Sequence, residues 1–272
     1  MQALRHYLLA VQFFTRIPVT GRLAAWVGFD AAMLRAASAH FPGVGWPVAG
    51  VACGVYALVW LGLGGAGLAP LVAAVVSTVA TVLLTGGFHE DGLADVADGL
   101  GGAYQRERAL EIMKDSRIGA FGAMALVLAL LTKVALLAQL GGGAPGGGGP
   151  IGALAALAGA HALSRWWPLC VIYRLPYVSG SSGAKSKPLA DSISPAALGA
   201  GVLWCVPPLL LVWLLLGGLP VACAMALSAA GALWLYWRFA QRLQGFTGDC
   251  LGAVQQVSEI AFYLGLALAL AP

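Results

Sequence analysis

The stretch from Leu68 to Gly102, LAPLVAAVVSTVATVLLTGGFHEDGLADVADGLGG, joins two different kinds of sequence. Its first part carries no charge and, at about 20 residues, is long enough to cross a bilayer core of roughly 30 Å as a helix. The part that begins at His89 holds four of the eleven acidic residues of the chain: Glu90, Asp91, Asp95 and Asp98. The stretch therefore predicts a membrane span followed directly by a carboxylate-rich surface segment.

The composition extends this interpretation to the whole chain. Of the 272 residues 60% are hydrophobic and only 10% are charged, and the mean hydropathy is +0.85. Because a chain in lipid must satisfy its backbone polar groups internally, apolar runs of this length indicate helices. We expect an all-α, polytopic integral membrane protein that forms a single membrane-embedded domain over residues 1–272.

About seven transmembrane helices are predicted, with boundaries uncertain by several residues. They are placed near 44–64, 68–88, 118–140, 151–173, 197–216 and 219–239, with a last span from about 254. Residues 1–43 are predicted to form a cytoplasmic N-terminal interfacial segment, because apolar and basic residues occupy separate faces of its first helix.

The connections between the predicted spans alternate between charged and uncharged. Lys and Arg concentrate in 1–43, 89–117, 174–196 and 238–250, whereas 65–70, 141–150 and 217–220 carry no charge. By the positive-inside rule the charged connections are cytoplasmic. The sequence therefore predicts cytoplasmic active-site loops.

Several ionisable residues fall within predicted spans, among them Lys133, His161, Arg165 and Glu259. Lys133 is expected to reach the membrane interface through its long side chain. Arg165 either does the same or faces inward with a functional role. His161 is interpreted as a packing residue, and Glu259 is expected to point toward the cytoplasmic mouth, since a charge at its depth is costly without a partner.

Three aspartates of the acidic segment follow a helical spacing. Asp91, Asp95 and Asp98 lie at i, i+4 and i+7, so their directions on a helix fall within roughly 60° of each other. Three carboxylates on one stripe repel one another unless a cation lies between them, and Mg²⁺ prefers such oxygen ligands. The alternative, an acidic first helical turn, explains Glu90 and Asp91 but not Asp98.

Two further stretches combine polar side chains with glycine. Asp115-Ser116-Arg117 precedes the third predicted span, and a carboxylate beside a guanidinium suits the handling of a phosphoryl group. Thr247 and Asp249 lie between glycines before the last span, where Asp249 either contributes to a site or caps the final helix.

The sequence resembles the cobalamin synthase family, the adenosylcobinamide-GDP ribazoletransferases, at motifs that span nearly the whole chain. These motifs are FTRIP from Phe14, FPGVG from Phe41, TGGFHEDGLAD from Thr85, Asp98-Gly99, IMKDSRIG from Ile112, Ser164-Arg165 and TGDCLGA from Thr247. Gln256 departs from the pattern, because an acidic residue is common there.

The resemblance implies a transferase of the bacterial cytoplasmic (inner) membrane with its active site on the cytoplasmic side. Its reaction joins α-ribazole, or α-ribazole 5′-phosphate, to adenosylcobinamide-GDP and releases GMP, in the last steps of cobalamin synthesis. Mg²⁺ is the implied cofactor. Attack on a pyrophosphate calls for a metal that neutralises charge, which agrees with the aspartate stripe.

With this family in view, we predict roles for individual residues. The predicted metal ligands are Asp91, Asp95, Asp98, Asp115 and Asp249. The predicted catalytic residues are His89, Arg117 and Asp115. The predicted substrate-binding residues are Arg16, Ser116, Arg117, Arg165 and Thr247. A purely structural role for His89 is an equal alternative.

Other functions and partners stay open at this point. The alternatives are an enzyme that resembles CDP-alcohol phosphotransferases or prenyltransferases, and a cation-coupled transporter, which would require carboxylates at mid-membrane. The lipid bilayer is an expected partner, a homo-oligomer and contacts with other nucleotide-loop assembly enzymes are left open, and the modest net charge of +4 predicts no nucleic-acid partner.

Overall fold

The computed structural model describes residues 1–142, 149–178 and 193–271. Within these ranges the regular secondary structure is helical, apart from one isolated bridge between Tyr177 and Phe246. The predicted all-α class is confirmed. Most of the predicted loops 141–150 and 174–196 lies outside the described residues.

The helices follow one another closely along the chain. They are α1 (Gln2–Phe14), α2 (Gly21–Val27), α3 (Ala31–Ala37), α4 (Phe41–Gly62), α5 (Ala69–Thr85), α6 (Phe88–Gly102), α7 (Arg106–Ile112), α8 (Ala120–Gly141), α9 (Gly149–Leu163), α10 (Trp167–Arg174), α11 (Pro195–Leu216), α12 (Gly218–Arg242) and α13 (Gly248–Ala269). A short 3₁₀ turn, Ser38–His40, joins α3 to α4.

Length and apolar composition identify several membrane-spanning helices. In the described part of the chain five helical segments qualify: Ala31–Gly62, α8, α11, α12 and α13. The pair α5 and α6 qualifies only as one span bent by 90°, which brings the number to six. The multi-pass character is therefore confirmed, but these criteria do not reproduce the predicted count of seven.

The predicted span over 151–173 is divided into α9 and α10. Pro168 lies in the first turn of α10. Because proline has no backbone N–H, it cannot continue the helical hydrogen-bond ladder back to Ser164. The break between Leu163 and Trp167 follows from this missing donor.

Two glycines produce the bend between α5 and α6. Gly86 and Gly87 both have positive φ values, 72° and 71°, a region that glycine enters without steric cost. A Cβ atom on Gly86 would also lie 2.6 Å from Nε of Arg16. The bend therefore redirects the chain into α6 and leaves room for the Arg16 side chain beside it.

Glycine also brings α6 close to α13. A Cβ atom on Gly92 would lie 2.7 Å from the carbonyl oxygen of Asp249, and one on Gly252 would lie 3.1 Å from that of His89. Side chains at these positions would push the helices apart. The close contact brings the start of α13 beside the acidic residues of α6.

The prediction that Lys133 reaches the membrane interface is wrong. Its side chain is 2% exposed, and its Nζ atom lies 2.7 Å from Oε1 of Glu259, which is 1% exposed. Arg165 is likewise buried, so the inward-facing alternative for this residue holds. Lys133 faces inward because the buried Glu259 carboxylate on α13 compensates its charge, and the same carboxylate attracts Arg165 electrostatically.

Candidate active site at the bend between α5 and α6

An open cavity of about 630 Å³ lies at the α5–α6 bend. Its polar lining includes Arg16 from the N-terminal segment and Glu90 and Asp91 from the first turn of α6. A guanidinium group binds phosphate oxygens, and carboxylates bind hard cations. The cavity therefore combines the two kinds of group that a phosphoryl-transfer site needs.

Backbone contacts hold Arg16 at the edge of this cavity. The backbone N–H of Arg16 donates to the carbonyl oxygen of Leu84 at 2.7 Å, near the end of α5. The Thr15 hydroxyl donates to the Val11 carbonyl at 2.6 Å and accepts from the N–H of Ile17 at 3.1 Å. The Arg16 side chain itself is exposed, so it is available to an anion that enters from solvent.

Four carboxylates meet where α6 faces the start of α13. The negative charges of Asp249, Asp91 and Asp98 all act on Asp95, which is half-buried. We call these four residues the acidic cluster. Like charges at this proximity oppose one another, so a cation among them lowers the electrostatic energy.

Asp98 differs from the rest of the acidic cluster because both its oxygens have backbone donors. Oδ2 accepts from the N–H of Gly119 at 2.7 Å, and Oδ1 accepts from the N–H of Gly122 at 2.8 Å. These donors belong to the N-terminus of α8, where four N–H groups lack helical partners. Asp98 therefore fastens α6 to α8.

Asp249 and Thr247 lie together at the start of α13. Thr247 is the N-cap residue, and Asp249 lies in the first helical turn. The Thr247 hydroxyl donates to Oδ2 of Asp249 at 3.1 Å. Thr247 therefore orients the Asp249 carboxylate. The N-cap residue of the final helix is Thr247 and not Asp249, which the sequence offered as an alternative.

Asp115, Ser116 and Arg117 form an exposed turn between α7 and α8. The Arg117 guanidinium donates to both oxygens of Asp115, and this pairing lowers the pKa of the Asp115 carboxyl to about 2. The same contact raises the pKa of Arg117 above its ordinary value. Ser116 is exposed beside them. In this arrangement Asp115 is paired with Arg117 instead of completing the acidic cluster.

His89 faces away from the open cavity. Its ring is 1% exposed and is stacked on Phe41, with centroids 5.8 Å apart and planes 11° from parallel. It lines an apolar cavity of about 30 Å³ that includes Phe13, Phe14 and Phe88. The ring also borders a smaller polar cavity in the protein interior.

Arg165 lies in that interior polar cavity, beside Glu90 and Glu259. Its Nη1 donates to the carbonyl oxygen of His161 at 2.8 Å, and its guanidinium carbon lies 5.9 Å from the centre of the Phe41 ring. The guanidinium thus lies inside the protein and does not line the open cavity with Arg16.

Comparison with known proteins identifies the family. The model of the cobalamin-5-phosphate synthase family matches residues 6–267. The chain belongs to the cobalamin-5-phosphate synthase family. The predicted resemblance is thereby confirmed over nearly the whole chain.

Curated relatives in the cobalamin-5-phosphate synthase family agree with the match. The chain is 59% identical to the adenosylcobinamide-GDP ribazoletransferase of Polaromonas naphthalenivorans (strain CJ2), over 99% of this chain and 100% of that protein. It is 44% identical to the protein of that name from Ralstonia pickettii (strain 12J), over 98% of each chain. No solved structure matches the chain significantly.

Sequence reasoning missed a set of buried polar residues in this family member. Lys133 and Glu259 form an ion pair, and Gln255, Gln256 and Tyr263 hydrogen-bond around it. The sequence did contain a signal for this ion pair, because it has two opposite charges in separate apolar spans. Each charge is costly there unless the other compensates it.

The acidic cluster suits Mg²⁺ by the chemistry of its donors, which are all carboxylate oxygens. Within the described ranges, no group of three or more His, Cys, Asp or Glu side chains is arranged to hold a metal ion by itself. Mg²⁺ usually binds through one or two carboxylates together with substrate phosphates and water. The residues present therefore fit a metal that arrives with a phosphorylated substrate.

Proposed function

We propose that this chain transfers the cobinamide phosphate group of adenosylcobinamide-GDP to α-ribazole or to α-ribazole 5′-phosphate. The names of the relatives support this reaction. The observation that carries the proposal is the open cavity at the α5–α6 bend, where exposed Arg16 and Asp91 line one space. That cavity offers both charges that a pyrophosphate substrate with its metal requires.

In the proposed reaction the ribose 3′-hydroxyl oxygen bonds to the phosphorus attached to cobinamide. The bond from this phosphorus to the GMP oxygen breaks, and GMP leaves with the electron pair. The hydroxyl proton passes to a base, for which His89 is our proposal. Since the His89 ring borders the apolar cavity and not the open one, this role requires the ribose 3′-hydroxyl group to reach the apolar cavity.

Two arginines are proposed to bind the pyrophosphate. Arg16 neutralises phosphate charge in the open cavity, and its planar fork suits two oxygens at once. Arg117 is proposed to exchange its carboxylate partner, Asp115, for phosphate, since both side chains are exposed. Ser116 is proposed to donate a hydroxyl hydrogen bond nearby, and Thr247 is proposed to act on the substrate through the Asp249 carboxylate that it orients.

Asp91, Asp95 and Asp249 are proposed to hold Mg²⁺ together with substrate phosphate and water. When bound, this ion supplies charge neutralisation on the pyrophosphate and orients the leaving group. Asp98 contributes its negative charge to the cluster, while its oxygens stay with the α8 backbone. Asp115 is proposed to bind the metal only when its ion pair with Arg117 is broken.

The reaction is tested with purified protein in nanodiscs. Adenosylcobinamide-GDP and α-ribazole are supplied with Mg²⁺ or with EDTA, and chromatography detects a cobamide and GMP. We expect equal amounts of both products, and only with Mg²⁺. Folded wild-type protein that forms neither product would contradict the proposed function.

Variants of the acidic cluster test the metal site. Asp91→Asn and Asp95→Asn should lower turnover by orders of magnitude, and excess Mg²⁺ should restore part of it by mass action. Glu107→Gln is the matched control, because Glu107 is an exposed acid on α7 whose carboxylate pairs with the adjacent Arg106. Wild-type Mg²⁺ dependence in Asp95→Asn would rule out the site.

We also propose that the protein lies in the bacterial inner membrane with the bend facing the cytoplasm. The alternation of charged and uncharged connections supports this orientation. Reporter fusions after residues 105 and 145 should fall on opposite sides, with 105 in the cytoplasm. The same side for both fusions would contradict the orientation.

A further inference from the structure

A continuous set of buried hydrogen bonds runs from the protein interior to the active-site helix. Nε2 of Gln256 donates to Oε1 of Glu90 and to Oε1 of Gln255, each at 3.0 Å. Gln255 donates in turn to Glu259 at 2.6 Å, and Glu259 pairs with Lys133 at 2.7 Å. We call these five residues the interior polar chain; they connect α8, α13 and α6.

Stability alone is a weak explanation for the interior polar chain. Moving an ion pair out of water costs several kcal/mol per ion, and well-packed apolar residues often replace buried pairs without loss. Gln255 and Gln256 are also buried, which is unfavourable for amides unless they are hydrogen-bonded. The geometry of the chain therefore points to a role in placing Glu90.

The four acidic residues of α6 divide into two that are anchored and two that are not. Glu90 is anchored to α13 through Gln256, and Asp98 is anchored to the backbone of α8. Asp91 and Asp95 lie between these two anchors. The anchors therefore determine where the unanchored carboxylates stand relative to Asp249.

The Glu90 anchor also resists a competing attraction. Glu90 and Arg165 attract each other electrostatically across the interior polar cavity. Without the amide of Gln256, the Glu90 carboxylate keeps this attraction but loses its hydrogen bond. Loss of Gln256 is therefore expected to draw the first turn of α6 inward, away from the open cavity.

We propose that Gln256, supported by the Lys133–Glu259 ion pair, is a positioning residue for the transfer reaction. It fixes Glu90 and so sets the register of α6 against α13. This register holds the unanchored carboxylates of α6 beside Asp249. The proposal rests on the proposed function and its Mg²⁺ site.

The experiment compares Gln256→Leu with wild type in nanodiscs. Two readouts are used: the rise in thermal unfolding temperature caused by Mg²⁺ together with inorganic pyrophosphate, and turnover as a function of Mg²⁺ concentration. Loss of one hydrogen bond to a charged group predicts a rise of about tenfold in the half-saturating Mg²⁺ concentration. The yield of folded protein should change little.

Ser258→Ala is the matched control on the same helix. Ser258 is buried and donates to the carbonyl oxygen of Gln255 at 3.2 Å, so the variant also loses one buried hydrogen bond. It leaves the link between Gln256 and Glu90 intact. Its Mg²⁺ half-saturation should equal that of wild type, and an equal rise in both variants would overturn the proposal.

A double variant covers the case in which Gln256→Leu fails to fold. Gln256→Leu with Glu90→Met removes both partners of the Gln256–Glu90 hydrogen bond, and such paired replacement can be nearly neutral for stability. The Mg²⁺ half-saturation should stay raised even though folding recovers. A wild-type value in the folded double variant would refute positioning.

The two proposals fail in different ways. If wild type forms no cobamide, yet Mg²⁺ with pyrophosphate still stabilises it more than it stabilises Gln256→Leu, the function fails and the positioning of the metal site stands. If wild type forms cobamide and both readouts of Gln256→Leu match it, only the positioning proposal is overturned.

Discussion

Replacing Asp98 with asparagine tests whether this carboxylate anchors α6 to α8 or binds the metal ion. Asp98 is 7% exposed, and its two oxygens accept backbone N–H groups of α8 at 2.7 and 2.8 Å. Asparagine keeps the shape but offers one oxygen and one NH₂ group. One of the two α8 donors would then face another donor.

The magnitude follows from the lost interactions. A hydrogen bond to a charged group contributes about 1.5–3 kcal/mol, and a negative charge at a helix N-terminus contributes about 0.3–2 kcal/mol. The two effects overlap because they involve the same carboxylate. We therefore expect Asp98→Asn to lower the free energy of unfolding by about 2–4 kcal/mol.

Tryptophan fluorescence during titration with SDS in mixed micelles measures this change. Asp91→Asn is the comparison, because Asp91 is exposed and surface substitutions usually change stability by less than about 0.5 kcal/mol. If Asp98→Asn keeps wild-type stability but loses the Mg²⁺ response, the anchoring argument is refuted and Asp98 is a metal ligand.

Three further predictions concern ion pairs. Lys133→Met should lower the free energy of unfolding by about 3–5 kcal/mol, because Glu259 is left buried and unpaired. Adding Glu259→Gln should recover part of this loss in the same SDS titration. No recovery would contradict the ion pair. Arg117→Lys should markedly reduce turnover if the guanidinium binds pyrophosphate, since lysine lacks the planar group that binds two oxygens at once. Near-normal turnover would show that Arg117 is only a surface charge. The Asp115 carboxyl should titrate with a pKa of about 2, so its pairing is complete above the ordinary value near 3.9 and is lost as the pH falls through about 2; a carboxyl ¹³C shift that titrates near 3.9 would show that the pair does not form.

The family could be predicted from the sequence because its motifs are local. TGGFHEDGLAD and IMKDSRIG are each contiguous, so their match needs no knowledge of how the chain folds. The helical, multi-pass fold was likewise predictable, since apolar runs of bilayer length must satisfy their backbone groups within helices.

The number of spans was less predictable. Apolar composition over 151–173 is continuous, but Pro168 removes one backbone donor and divides the segment into two helices. In the same way the apolar run of α5 ends in a bend whose angle depends on the positive φ values of Gly86 and Gly87. Hydropathy indicates which residues lie in lipid, but it does not indicate the angle at which one helix follows another.

The spacing of Asp91, Asp95 and Asp98 alone predicts that they share one helical stripe, because spacing along a helix fixes direction. That Asp98 is bound to the α8 backbone while Asp91 lines the open cavity with Arg16 depends on how the helices pack. Backbone N–H groups exist at every residue except proline, so an acceptor for them leaves no signature in the sequence. The partners of buried charges are hidden for the same reason: they lie on other helices, and packing alone brings them within hydrogen-bond distance.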